Sequence, residues 1–307
     1  MRVLLYSALV FGSTLQAQTP TCPDKSVLMP VTVEVRERNV LEPIPGLNTS
    51  HFLLSGKGIE ERAASLEHRL PADIVVLIED RPRGGLLAGA AALFVKSLLP
   101  GDRVAVMTYG VSTKRQLAFS QDPEAIRLAI EKGADGMHVQ VARPLYGVVD
   151  ALKLFGDATP GRQRAIFMLG DDLDNGSQIR VEQLAANLIA ERVSLDLAID
   201  PAPSRKIPRV NLPTPTLGNE APGQRPAVVG QQSVVGLANS SGGDSNKFLD
   251  AHYLEIMRER LKNRVTLNYC VQKKHSGKLP RVELTPEAAQ KWPGAELRAP
   301  GIDLNRN

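Results

Sequence analysis

Apolar residues run unbroken from Ile74 to Ile78, stop at Glu79 and Asp80, and are followed by Gly84 and Gly85, where a helical pattern opens. A continuous β-branched run of this length predicts a strand buried on both faces, at the centre of a mostly parallel sheet. Upstream, Val31, Val33 and Val35 alternate with Thr32 and Glu34, which predicts a half-buried strand, and a second short strand is expected around His51 to Leu54. Downstream, strands and helices alternate. Leu86, Leu87, Ala90, Ala91, Phe94 and Leu98 recur at helical spacing until Pro100-Gly101, and Arg103 to Tyr109 reads as the next strand. A shorter strand follows at Gln116 to Phe119, and Asp122 with Pro123 caps a helix through Ile130. Leu145, Val148, Val149, Leu152 and Phe155 draw another apolar stripe, Ala165 to Leu169 a further buried strand, and residues 181–189 one more helix before the strand Val193 to Ile199.

This alternation with short connections predicts an α/β fold with a doubly wound, mostly parallel sheet spanning residues 71–262. Residues 201–230 interrupt it with seven prolines from Pro201 to Pro226, the pattern of an extended loop. Order resumes at Val234 to Ala238, turns at Gly242-Gly243, and reaches a last helix near Leu249 to Leu261. Val265 to Cys270 and Arg281 to Leu284 read as strands joined by a hairpin at Ser276-Gly277. The segments 24–70 and 263–304 are thus expected to pack together as a small β unit.

The 307 residues carry a formal net charge of +4, too small an excess to call for a nucleic-acid or membrane partner. Residues 1–17 resemble a signal peptide: Arg2, an apolar stretch from Val3 to Phe11, and a small residue at Ala17. The stretch is too short to span a bilayer, and Thr19-Pro20-Thr21 before Cys22 lacks a lipobox pattern. An exported chain, periplasmic or secreted and without membrane insertion, is expected. Its two cysteines, Cys22 and Cys270, then favour one disulfide over two free thiols.

Strands of an open α/β sheet place ligand sites beyond their carboxyl ends. Asp80, Arg81 and Arg83 fall there, as do Asp171, Asp172 and Asp174 after the strand ending at Leu169. The turn Arg81 to Gly85 opens a helix but lacks the lysine and spacing of a phosphate-binding loop, and no dinucleotide fingerprint is present. The five histidines are far apart, with no pair at helix spacing. No nucleophile–base pair is visible, so an enzyme is not expected, nor a cofactor.

Taken in order, VVLIED, LPGDRVAVMTYG, RPLYGVVDAL, RAIFMLGDDLDNGS and LANSSGGD resemble a von Willebrand factor type A domain. With VTVEVRERN and PGLNTSHFLLSGKG before them, and RVTLNYCV, GKLPRVEL and ELRAPG after, the chain is similar to VWFA-related proteins of acidobacterial type. The resemblance implies a metal-ion-dependent adhesion site at the sheet's carboxyl pole, built from Asp-x-Ser-x-Ser, a threonine and a later aspartate. A hard divalent cation needs such oxygen ligands. Here Asp80 and Asp171 match, but Pro82 and Gly84 replace the serines, and Arg143 stands at the threonine position. Guanidinium groups beside these carboxylates are hostile to a dication. The expectation is a degenerate site in which Arg143 or Arg81 lies against Asp80 and Asp171 in place of the ion.

The function implied is non-catalytic: a protein-interaction module contacting a partner, with an acidic surface, through Asp80, Arg81, Arg83, Arg143, Asp171 and Asp174. Two alternatives stand beside it, an envelope-assembly component with a vestigial site and an adhesion module that keeps a weak cation site.

Overall fold

The computed structural model describes residues 21–37, 44–68, 70–81, 85–133, 142–156, 161–174, 177–199, 232–247 and 251–301. Residues 1–17, Arg83 and the Pro-rich stretch 201–230 lie outside them, so the leader, that arginine and that loop remain sequence expectations.

The chain enters through β1 (Ser26–Glu37), β2 (Phe52–Ser55) and β3 (Ser65–His68). It continues through β4 (Ala72–Glu79), α1 (Gly85–Ser97), β5 (Arg103–Tyr109), β6 (Thr113–Ser120), α2 (Pro123–Gly133) and α3 (Pro144–Leu152). Next come β7 (Gln163–Gly170), β8 (Leu173–Asp174), α4 (Val181–Ala190), β9 (Val193–Ile199), β10 (Gln232–Ser233), α5 (Val235–Ser240) and β11 (Ser245–Lys247). The last described elements are α6 (Tyr253–Asn263), β12 (Val265–Gln272), β13 (Arg281–Leu284), α7 (Pro286–Lys291) and β14 (Ala295–Arg298).

Six strands form the central sheet in the order β11-β9-β7-β4-β5-β6. All neighbours run parallel except the edge pair β5 and β6. Counted within the sheet this is the doubly wound order 3-2-1-4-5-6. All eight residues of β4 are buried, because period-two alternation serves two cores. Ile74, Val76 and Ile78 pack with α1, α2 and α6, while Val75 and Leu77 pack with α3, α4 and α5. Each such fully buried side chain contributes about 1.5–3 kcal/mol. Asp122 caps α2, its Oδ1 accepting the Glu124 N–H at 3.0 Å with Pro123 behind it.

The chain ends build a second sheet, β14-β1-β12-β3. Strand β1 pairs antiparallel with β12 from Ser26↔Gln272 to Val33↔Val265. Its alternation puts Val31, Val33 and Val35 into a third apolar cluster, and Glu34 and Arg36 on the opposite face. Cys22 and Cys270 form a disulfide across this sheet, with Cα atoms 5.6 Å apart.

Three expectations need correction. No hairpin joins β12 to β13: both edges of β12 are taken by β1 and β3, so β13 pairs with β2 instead. Helix α6 is not the last, since Thr285 accepts the Ala288 N–H at 3.2 Å and starts α7 at Pro286. Phe155 lies beyond α3, which ends at Leu152. Strands β3 and β14 went unread, being four residues long with mixed burial.

Candidate functional site

The carboxyl ends of β4 and β7, the two strands where the sheet order reverses, hold Glu79-Asp80 and Gly170-Asp171. The β4–β5 ladder runs on past its last pair, with the Asp80 N–H donating to the Tyr109 carbonyl at 2.7 Å. The Asp171 N–H donates to Glu79 Oε2 at 3.0 Å, and Arg81 Nη2 meets the same oxygen at 2.7 Å. Gly170 permits this closeness: a Cβ there would lie 2.7 Å from Glu79 Cβ and inside contact distance of the Tyr109 hydroxyl.

The arginine that closes on this crevice meets Glu79, an acid that the sequence argument did not name, and its charge also acts on Asp171. Glu79 was missed because it closes an apolar run as an ordinary strand residue would. It is nonetheless only 4% exposed, and a carboxylate that buried requires a cationic partner.

Asp174, expected on the contact surface, is buried and committed to the fold. Its Oδ1 accepts the Leu145 N–H at 3.2 Å, its Oδ2 accepts the Ser177 N–H at 2.9 Å, and the Ser177 hydroxyl donates to Oδ1 at 2.7 Å. It caps α3, whose own N-cap residue, Arg143, makes no side-chain capping bond. A basic residue cannot accept the free N–H groups of a helix start, so an acid from a distant loop does.

Arg143 is half-buried. Its N–H donates to the Gly110 carbonyl at 3.2 Å, and its guanidinium carbon sits 5.9 Å from the centre of the Tyr146 ring, a cation–π distance. Asp171 Oδ1 accepts the Leu173 N–H at 3.2 Å. Burial pushes the Asp171 carboxyl above the usual carboxylate range, and neighbouring Asp172 adds to this, against an opposing pull from the Leu173 N–H and Arg81. Asp172 Oδ2 in turn accepts the Ser233 hydroxyl at 3.4 Å.

As a donor set this pole does not fit a divalent cation of the type the resemblance implies. A guanidinium on the adjacent acid and an arginine in place of a hydroxyl both oppose one. Among the described residues no three His, Cys, Asp or Glu side chains converge as a metal site. Apolar groups gather here instead. Of the five exposed large hydrophobic residues among the described ones, Leu86, Val111 and Tyr146 lie at this pole, in the first turns of α1 and α3 and just after β5.

No family model matches the chain, and no curated protein matches it. Solved structures do. BatB from Bacteroides thetaiotaomicron is 13% identical over 62% of this chain and 97% of its own, with a TM-score of 0.42. A von Willebrand factor type A protein from Catenulispora acidiphila is 12% identical over 71% of this chain and 51% of its own, with a TM-score of 0.43. Proximal thread matrix protein 1 of the mussel byssus, with a zinc-occupied adhesion motif, is 14% identical over 71% and 50%, with a TM-score of 0.43. The chain's own strand order carries the fold. It is the doubly wound α/β arrangement expected of a von Willebrand factor type A-like chain.

Proposed function

We propose that this chain is an exported, non-catalytic interaction module that contacts a protein partner through the carboxyl pole of its central sheet, without a bound metal. The observation that carries this is the clustering of exposed Leu86, Val111 and Tyr146 at the same end as Arg81 and Arg143. Tyrosine and arginine are enriched at the energetic centre of a protein interface, and the exposed leucine and valine beside them add apolar area. Arg81 and Arg143, with Arg83 between them in sequence, favour an acidic partner surface, so binding weakens with salt. Among the described residues no helix is long and apolar enough to cross a membrane.

The test is a pull-down from envelope extract comparing the wild type with Tyr146→Ala/Arg143→Glu. Loss of one specific co-purifying protein in the variant is expected; an identical set of captured proteins would point to the envelope-assembly reading with a vestigial site. Titration with Mg²⁺ or Mn²⁺ tests the metal clause separately: saturable binding that Asp80→Ala abolishes would establish a retained cation site.

A further inference from the structure

Five lysines from three separate segments meet at the end of the terminal sheet where the disulfide lies. Lys25 stands next to β1, Lys57 in the turn after β2, and Lys273, Lys274 and Lys278 in the segment after β12. Backbone bonds fix them together: the Lys273 N–H donates to the Lys25 carbonyl at 3.0 Å, and the Gln272 N–H to the Gly58 carbonyl at 2.8 Å. The Cys22–Cys270 bond holds the arm bearing Lys25 in place. The His275 ring lies against Gly58, held below its ordinary pKa by partial burial and by Lys274, Lys57 and Lys278.

All five lysines are exposed. None forms an ion pair among the described residues, whereas Lys153 and Lys262 pair with Asp150 and Glu259. Asp24, Glu60 and Glu61 lie on the same loops, with Arg62 beside them, so the positive charges remain in excess. So much uncompensated like charge in one place is a cost to the fold unless an anion meets it.

The chemistry narrows the anion. Lysine is depleted from protein interfaces, which centre on apolar anchors, and none of the exposed large hydrophobic residues lies here. No aromatic side chain is exposed here for nucleic-acid bases to stack on. Flexible ammonium groups without a rigid fork suit many loosely placed phosphates rather than one bound anion. We propose that this lysine tip is a second binding surface, which holds the protein peripherally against the phosphate headgroups of an anionic lipid surface.

The experiment is co-sedimentation of the full chain with phosphatidylcholine vesicles, with and without about one-third phosphatidylglycerol. Lys57, Lys273, Lys274 and Lys278 are changed together to Gln. Wild type and variant differ only at these four positions, so their difference isolates the tip. Each lysine near an anionic surface is worth roughly a fivefold change in affinity, so a loss of about a hundredfold or more is expected, confined to the anionic vesicles. Added salt should weaken the wild type and leave the variant unchanged. A control, Lys96→Gln/Lys114→Gln/Lys132→Gln, removes three exposed lysines from elsewhere and should bind as wild type. Equal binding by wild type and tip variant would overturn the proposal, as would lysine-dependent capture of long-chain polyphosphate without vesicle binding. The substituted lysines are exposed and unpaired, so the variant should keep the wild-type melting temperature; a shared loss of folding would show up there.

Discussion

Arginine meets carboxylate in two regions of this protein, with opposite consequences. Where the terminal sheet meets the central one, Arg36, Arg260, Arg264 and Arg298 face Glu34, Asp196, Asp244 and Glu296, four cations against four anions. Arg260 grips Glu34 with two bonds, at 3.0 and 2.8 Å, and reaches Asp244 at 2.9 Å. Asp244 also takes Arg36 at 3.0 Å and Arg298 at 2.8 Å, and Arg264 clasps Asp196 with both contacts at 3.1 Å. At the carboxyl pole, Arg81 meets Glu79 at 2.7 Å with its side chain 26% exposed, and burial raises the nearby Asp171 carboxyl. Burial and closure of charge make the first cluster a joint. Exposure and incomplete closure leave the second open to another molecule.

The largest effect should come from breaking the joint. Arg260→Leu leaves Glu34 and Asp244 short of a partner inside the protein, and removing one member of a buried pair costs about 3–5 kcal/mol. For a chain of this size that lowers the melting temperature by about 10 °C, measured by calorimetry. A drop of only a degree or two would mean that water already solvates the joint.

Acid should separate the two regions next. Burial pushes the Glu34 carboxyl up, but Arg260, Arg264 and Arg36 together hold it well below the ordinary value; Asp244 is held down likewise by Arg260, Arg298 and Arg36 against its own burial. A depressed carboxyl contributes stability that is fully present above its unfolded value near 4 and is lost as pH falls through the folded value. Urea unfolding should therefore show stability draining below about pH 4 in the wild type. Glu34→Gln should weaken that acid dependence while lowering stability at pH 7.

The pole should answer with binding more than with stability. Arg81→Ala leaves the buried Glu79 carboxylate without this guanidinium, but solvent reaches Arg81 itself, so it should cost about 1–3 kcal/mol, less than Arg260→Leu. Tyr146→Ala, by contrast, should weaken partner capture about tenfold or more, as truncation of an interface anchor does. If Arg81→Ala unfolds the protein instead, the pole is a second joint.

The fold was legible because the strands that matter alternate or run apolar: Ile74 to Ile78 and Val31 to Val35 announce a two-sided and a one-sided strand from their pattern alone. The joint was not, because Glu34 and Arg36 sit at the polar positions of an alternating strand and look solvated. Only the second sheet's packing covers them. One signal did exist in Gly242-Gly243-Asp244, since a Cβ on Gly243 would collide with the Leu195 carbonyl. That close approach lets the Asp244 N–H donate to Asp196 at 3.1 Å. At the pole, sequence located the crevice but did not name Glu79 as an acid that meets Arg81. Spacing marks Asp80 and Asp171 as equivalent, and which carboxylate faces a guanidinium depends on the alternation of β4.

The smallest expected effect is the most specific. Asp171 is raised by burial and by Asp172, so between the unfolded value near 4 and its folded value the native state holds more protons, and stability falls as pH rises through that window. At neutral pH the charged carboxylate is a net cost to the fold. Asp171→Asn removes the charge and keeps an oxygen for the Leu173 N–H. The variant should gain a few tenths of a kcal/mol at pH 7 and nothing near pH 4 in urea titrations, opposite in sign to Glu34→Gln. If the same substitution also weakens partner capture, the cost is one the fold tolerates for contact, the familiar opposition between stability and function at a working surface. A stabilised variant that binds as before would leave Asp171 out of the contact and confine the partner to Arg143, Tyr146 and their apolar neighbours.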